Sequence, residues 1–169
     1  GPSIPPASPV TNQSGGGAMT GSPPDLSTMT PVEAANRLFN RVMTAVAAGD
    51  STEAQQFMPM AIGAYERARP LDHDGLFHLS MLQRTAMQLE AALGTAEEIL
   101  EDNPNHLLGL SAAAKAAVEL GLGDIAAAYY EHVLEVYESQ IEQDIPEYMD
   151  HAPITDSLKT EAEAFLGGR

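Results

Sequence analysis

Apolar positions in this chain follow two periods at once. Within segments they fall three and four residues apart, the spacing of one helix face. Across segments the pattern returns at a period of about 34 residues, the length of a helix-turn-helix unit. Leu76 returns as Leu110, Leu79 as Ala113, Ala92 as Ala126, Ile99 as Val133 and Leu100 as Leu134. A looser copy lies upstream. There Leu38, Val42, Ala54, Ala61 and Ile62 precede Leu76, Ser80, Ala92, Ile99 and Leu100 by one period plus a four-residue insertion near Pro70. Self-similarity at this length predicts an all-α, helix-turn-helix solenoid.

The local signals predict seven helices. Thr30, Pro31 and Glu33 form the signature of a capped start for the first. Gly49-Asp50 ends it and Asp50 or Ser51 opens the second, which carries Pro59. Proline lacks the backbone donor and crowds the preceding turn, so a kink or break is expected near Gln55–Met58. A third helix is expected over about 74–87, a fourth over 89–102, a fifth over 107–120 and a sixth from Asp124, its cap, to as far as Gln143. Gly94 inside the fourth is either kept for close packing or simply tolerated, at about 1 kcal/mol relative to Ala. Tyr148–Pro153 reads as a loop. A seventh helix over 155–166 is expected to cover the apolar flank of the last repeat.

The segment 1–29 changes the picture. It is rich in Pro, Gly, Ser and Thr and carries one charge, Asp25. Such a segment buries too little to offset its ordering entropy, so it reads as a flexible tail or linker ahead of a helical domain over 30–169. The domain carries nearly all the charge of a chain with 24 acids, 8 bases and a net charge of −16. That surface repels phosphate, so a nucleic acid is not an expected partner, and an apolar or basic protein segment is. There is no cysteine for disulfides or thiolate sites. No apolar run approaches membrane-spanning length. A polar Pro/Gly-rich tail ahead of a small domain points to the cell envelope or periplasm of a bacterium as a processed or anchored chain, with the cytoplasm as the alternative.

Each unit resembles a tetratricopeptide repeat, with units at 35–68, 73–106 and 107–140. The resemblance rests on residues such as Leu76, Leu79, Ser80, Ala92, Ala96, Ile99, Leu100 and Pro104 of the second unit. The third supplies Leu110, Ala113, Ala114, Ala117, Ala126, Tyr130, Val133 and Leu134. Departures are Arg41 and Gln83 at usually apolar positions, and Met87 where the turn glycine of the other units is Gly49 or Gly121. The resemblance implies a right-handed superhelix whose concave face is lined from the first helix of each unit. That face would present Phe39, Met43, Phe77, Met81, Arg84 and Lys115. The two Phe–Met pairs then form an apolar strip for a peptide or helix, or else they are core covered by the tail or the C-terminal helix. The family's Lys/Arg/Asn clamp for an acidic C-terminus is not reproduced, since the groove offers only Asn36, Arg84 and Lys115.

Candidate chemistry is sparse. Asp72-His73-Asp74 with His78, and Asp144, Glu147, Asp150 and His151, are two His/acid clusters without the spacing of a known metal motif. Asp72 and Asp74 read more simply as acids at a helix N-terminus. No metal and no cofactor are assigned. No phosphate loop or nucleophile elbow is present, so the chain reads as non-enzymatic. The expected function is a protein–protein interaction scaffold. The alternative is a structural subunit of a larger assembly (a homo-oligomer, filament or membrane complex), self-associating or docked through residues 1–29.

Overall fold

The computed structural model describes residues 28–169. The tail expected over 1–29 lies outside them but for Thr28 and Met29. The protein is all-α, with eight helices and no strand among the described residues: α1 (Pro31–Ala47), α2 (Ser51–Arg67), α3 (His73–Thr85), α4 (Leu89–Asp102), α5 (Leu107–Glu119), α6 (Gly123–Ile141), α7 (Pro146–Asp150) and α8 (Ala152–Gly167). None of these is long and apolar enough to cross a membrane.

The starts are set locally. Thr30 Oγ1 accepts from the Glu33 amide at 3.2 Å, and Glu33 Oε2 accepts from the Thr30 amide at 3.1 Å, so α1 opens on a complete capping box. Asp50 caps α2 and Asp72 caps α3 through the Glu53 and Gly75 amides. The cap of α5 is a histidine: His106 Nδ1 accepts from the Gly109 amide at 3.3 Å. α4 and α6 begin without a side-chain cap, so Asp124 stands in the first turn of α6 instead of capping it.

The helices pack in consecutive pairs, α1 with α2, α3 with α4 and α5 with α6, and each pair rests on the next through α2–α3 and α4–α5. α8 lies against α6 and α5. The starts of α3 and α5 are one sequence period apart, as are those of α4 and α6. Each pair turns through one residue in the left-handed region: Gly49 (φ 73°), Met87 (φ 62°) and Gly121 (φ 76°). Glycine adopts that conformation without steric cost, whereas at Met87 the Cβ crowds the following carbonyl. Ala92 and Ala126, at equivalent positions, are fully buried. Gly109 is buried too, and a Cβ there would come within 2.9 Å of both Ile99 and Leu100, which explains the glycine on the α4–α5 contact. Gly94 has open space around it and is exposed, so it is not a packing glycine.

Two expectations are corrected. α2 runs unbroken through Pro59, so the break expected near Gln55–Met58 does not occur. Pro59 and Gln55, whose carbonyl loses its partner, both lie on the exposed face, where water can satisfy that oxygen. The segment read as a loop over 148–153 contains α7 and the start of α8; Pro146 and Pro153 stand at helix beginnings, where a missing amide hydrogen is harmless. The core has two parts. One joins α1, α2 and α3 around Leu38, Phe57 and Tyr65; the other joins α3 to α8 around Leu108, Ile99 and Leu158. Leu71 and Met81 pack against both.

Candidate functional site

The chain has five histidines, and four of them meet at one place. α3 supplies His73, Asp74, Phe77 and His78 within its first two turns. α5 supplies its capping residue His106. α7 supplies Glu147 from its first turn, and His151 stands between α7 and α8. α7 is held there by Tyr148. Its hydroxyl accepts from the Leu107 amide at 2.9 Å and donates to Gln140 at 2.7 Å, while Thr155 Oγ1 donates to the Tyr148 carbonyl at 3.0 Å. The C-terminal segment is thereby laid across the N-terminal ends of α3 and α5.

The six ligand-type side chains divide into two trios, His73/His106/Glu147 and Asp74/His78/His151, each with two imidazoles and a carboxylate. In the first, His106 Nδ1 is committed as a helix cap, so its proton sits on Nε2 and is donated to Glu147 Oε1 at 2.9 Å. Burial pushes the His106 pKa down, against the opposing pull of Glu147. His73 Nε2 donates outward to Asp102 at 2.6 Å, and its Nδ1 is 4.0 Å from Glu147.

In the second trio the proton lies on the other nitrogen. Tyr65 Oη donates to Asn36 Oδ1 at 2.6 Å, which leaves the phenol oxygen to accept from His78 Nδ1 at 2.9 Å; Asn36 Oδ1 is a second acceptor at 3.2 Å. His78 Nδ1 therefore carries the hydrogen. Burial lowers the His78 pKa to about 4, so the ring is neutral near pH 7 and Nε2 holds a lone pair. That lone pair faces His151 Nε2 at 3.1 Å and Asp74 Oδ1 at 3.5 Å, and His151 Nε2 is 2.9 Å from the same oxygen. Burial pushes the Asp74 carboxyl up, but the His151 hydrogen bond and the neighbouring imidazoles outweigh it and hold the pKa below the usual value. Burial, with the charges of Asp74 and Asp72, drives the Tyr65 phenol well above its ordinary pKa, so it stays a donor. The rings are fixed from their faces. Phe39 stacks on His78 with centroids 4.0 Å apart, and Phe77 meets His151 edge-on at 4.8 Å.

The residues expected to line a groove fall as follows. Phe39 and Phe77 are buried, at 7% and 2% exposure, beneath His78 and His151. Met43 and Met81 are half-buried against the core around α1. Phe39 and Phe77 belong to the core and the two methionines pack against it, and the cover over Phe77 comes from the C-terminal segment. Arg84 pairs with Glu119 and Lys115 with Glu161, both at 3.8 Å. Burial lowers the Lys115 pKa, with Glu161 opposing. Ser111, one period of about 34 residues after Phe77, is fully buried with its hydroxyl unpartnered.

The convergence of His78 and Asp74 with His151 was not visible in the sequence. The spacing of Asp74 and His78 put two of the groups on one face of α3, but nothing in the pattern could bring His151 across 73 residues. No family model matches the chain, and none of the curated proteins does.

Proposed function

We propose that this chain is a non-enzymatic protein-interaction module: three tetratricopeptide-like hairpins in a right-handed solenoid, closed by α8, that takes a basic amphipathic segment of another protein. The periodic recurrence of helix starts and left-handed turns supports the architecture. The charge balance carries the choice of partner. Six of the eight basic side chains are in ion pairs: Arg41, Arg69, Arg84, Lys115, Lys159 and Arg169. The large excess of acid is left to solvent or to a basic partner.

Apolar contact comes from a different place than the buried Phe39/Phe77 strip. A pocket of about 470 Å³ opens between the α1–α2 and α3–α4 turns, lined by Val46, Ala54, Met58, Pro59, Ala86 and Met87. Met87 is 69% exposed at its mouth. An adaptable methionine on a chain with a large excess of acid suits the apolar face of a basic helix. The test is titration of a fluorescent amphipathic Lys/Leu peptide into the protein at low and high salt. Saturable binding is expected, weakened by salt and by Met87→Gln about tenfold, the worth of roughly one buried side chain. Equal binding of a Lys-only peptide, or no effect of Met87→Gln, would overturn the reading.

A further inference from the structure

We propose that Asp74, His78 and His151 form a binding site for one divalent first-row transition ion of the zinc type, which clips the α7–α8 junction onto α3. The inference rests on the shape of the trio and on the group behind it, and it stands independently of the interaction reading above.

The three inward atoms, His78 Nε2, His151 Nε2 and Asp74 Oδ1, form a triangle with edges of 3.1, 2.9 and 3.5 Å. Ligands about 2.0–2.1 Å from a four-coordinate zinc stand roughly 3.3 Å from one another. The observed triangle therefore already has the size of a coordination face. An ion at that distance from all three atoms sits about 0.9 Å out of their plane, leaving a fourth position. Asp74 is the most open of the three, with its side chain 31% exposed against 10% for His78 and 14% for His151, so that position is reached from the Asp74 side. Imidazole nitrogen with one carboxylate oxygen selects borderline ions of this row over calcium or magnesium, which take oxygen ligands.

The group behind the trio supplies the second argument. A coordinating histidine needs its lone pair directed at the ion and its other nitrogen bound to a partner that fixes the tautomer and ring plane. His78 has that arrangement, with Nδ1–H held by Tyr65 and Asn36 and the ring face held by Phe39. In the metal-free protein one hydrogen, on His151 Nε2, has to serve both the Asp74 oxygen and the His78 lone pair. A cation in its place meets all three groups at once, with the His151 hydrogen moved to Nδ1 so that Nε2 offers its lone pair. His106 lacks this arrangement, because its lone pair is spent on the Gly109 amide and an N–H points at Glu147. The neighbouring trio, again two imidazoles and a carboxylate, thus serves as an internal control.

The experiment uses the full chain, stripped with chelator, with Zn²⁺ titrated by calorimetry and Co²⁺ by visible absorption. One ion per chain is expected, with the intense bands of four-coordinate Co²⁺ and a raised thermal midpoint on Zn²⁺ addition. His151→Ala should weaken binding by about a hundredfold or more and abolish the thermal shift. His151 makes no side-chain cap to α8, so this variant is expected to keep its fold, checked by far-UV circular dichroism. Tyr65→Phe leaves all three ligands in place and should weaken binding about tenfold at unchanged stoichiometry. Glu147→Gln should leave affinity unchanged. Absence of saturable binding in the wild type, undiminished binding in His151→Ala, or loss in Glu147→Gln alone would each overturn the assignment.

Discussion

Asp74, His78 and His151 on one side, and His73, His106 and Glu147 on the other, are each two imidazoles and one carboxylate, yet Nε2 meets the acid with a lone pair in His78 and with a hydrogen in His106. In the second trio a backbone amide takes the His106 lone pair, so the ring is a donor and its acid partner completes an ordinary buried hydrogen bond. In the first, a phenol and an amide oxygen take the His78 hydrogen, so the ring presents a lone pair to another imidazole and a carboxylate. Residue composition therefore does not distinguish a structural cluster from a ligand set. The partner of the nitrogen that faces away does.

The comparison can be broken most directly at its structural half. His106→Ala removes the α5 cap, leaves Glu147 half-buried without its donor and opens space beneath Tyr148. A loss of about 3–4 kcal/mol is expected in urea unfolding. His151→Ala under the same conditions should cost about 1 kcal/mol, because His151 is partly exposed and caps nothing. Equal losses would erase the distinction between the two trios.

A pH series in chelator probes the other half. Burial lowers the folded pKa of His78 from 6.5 to about 4 against the pull of Asp74, Asp72 and Asp150, with His151 adding to the lowering. Above about pH 6.5 the ring is neutral in both the folded and unfolded chain, and the stability tied to it is fully present. As pH falls below that value the unfolded chain takes up the proton first, so stability drops until about pH 4, where the folded ring is protonated too. The total loss is on the order of 3 kcal/mol. His106, whose pKa is also lowered, adds to this fall, and Asp74, lowered from the ordinary carboxylate value, extends it to more acidic pH. In His78→Gln the fall between these two pH values should be shallower, and an unchanged curve would remove His78 as its source.

Smaller effects sharpen the contrast. Tyr65→Phe takes the hydrogen bond from Asn36 and one of the two acceptors from His78 Nδ1, and should lower stability by about 1–2 kcal/mol. Far from both trios, Met87→Gly relieves a left-handed φ of 62° at a residue whose side chain is mostly exposed, and should raise stability by about 1 kcal/mol. It should leave Zn²⁺ binding untouched while weakening peptide binding. One substitution thus separates the turn pocket from the histidine cluster.

The all-α class, the periodic pairing of helices and most helix limits were legible in the residue pattern. Each rests on interactions within a few residues: Thr30 with Glu33, Asp72 with Gly75, a left-handed turn at Gly49 and Gly121. The same pattern marked Phe39 and Phe77 as apolar and equivalent, but it left open whether they faced a groove or a core. For Phe77 that depended on whether the distant α7–α8 junction lay over it. The two His/acid clusters are each visible in the sequence, but neither is complete by itself, and Asp72 and Asp74 read there as helix-end acids. Helix periodicity and capping are short-range and written into neighbouring residues, so the sequence alone determined them. The meeting of Asp74 and His78 with His151 follows from Tyr148 pinning α7 against α5, and the placing of the His78 proton on Nδ1 follows from Tyr65 and Asn36. Only the tertiary structure decided these, because hydrogen-bond geometry across 73 residues leaves no periodic trace in the chain.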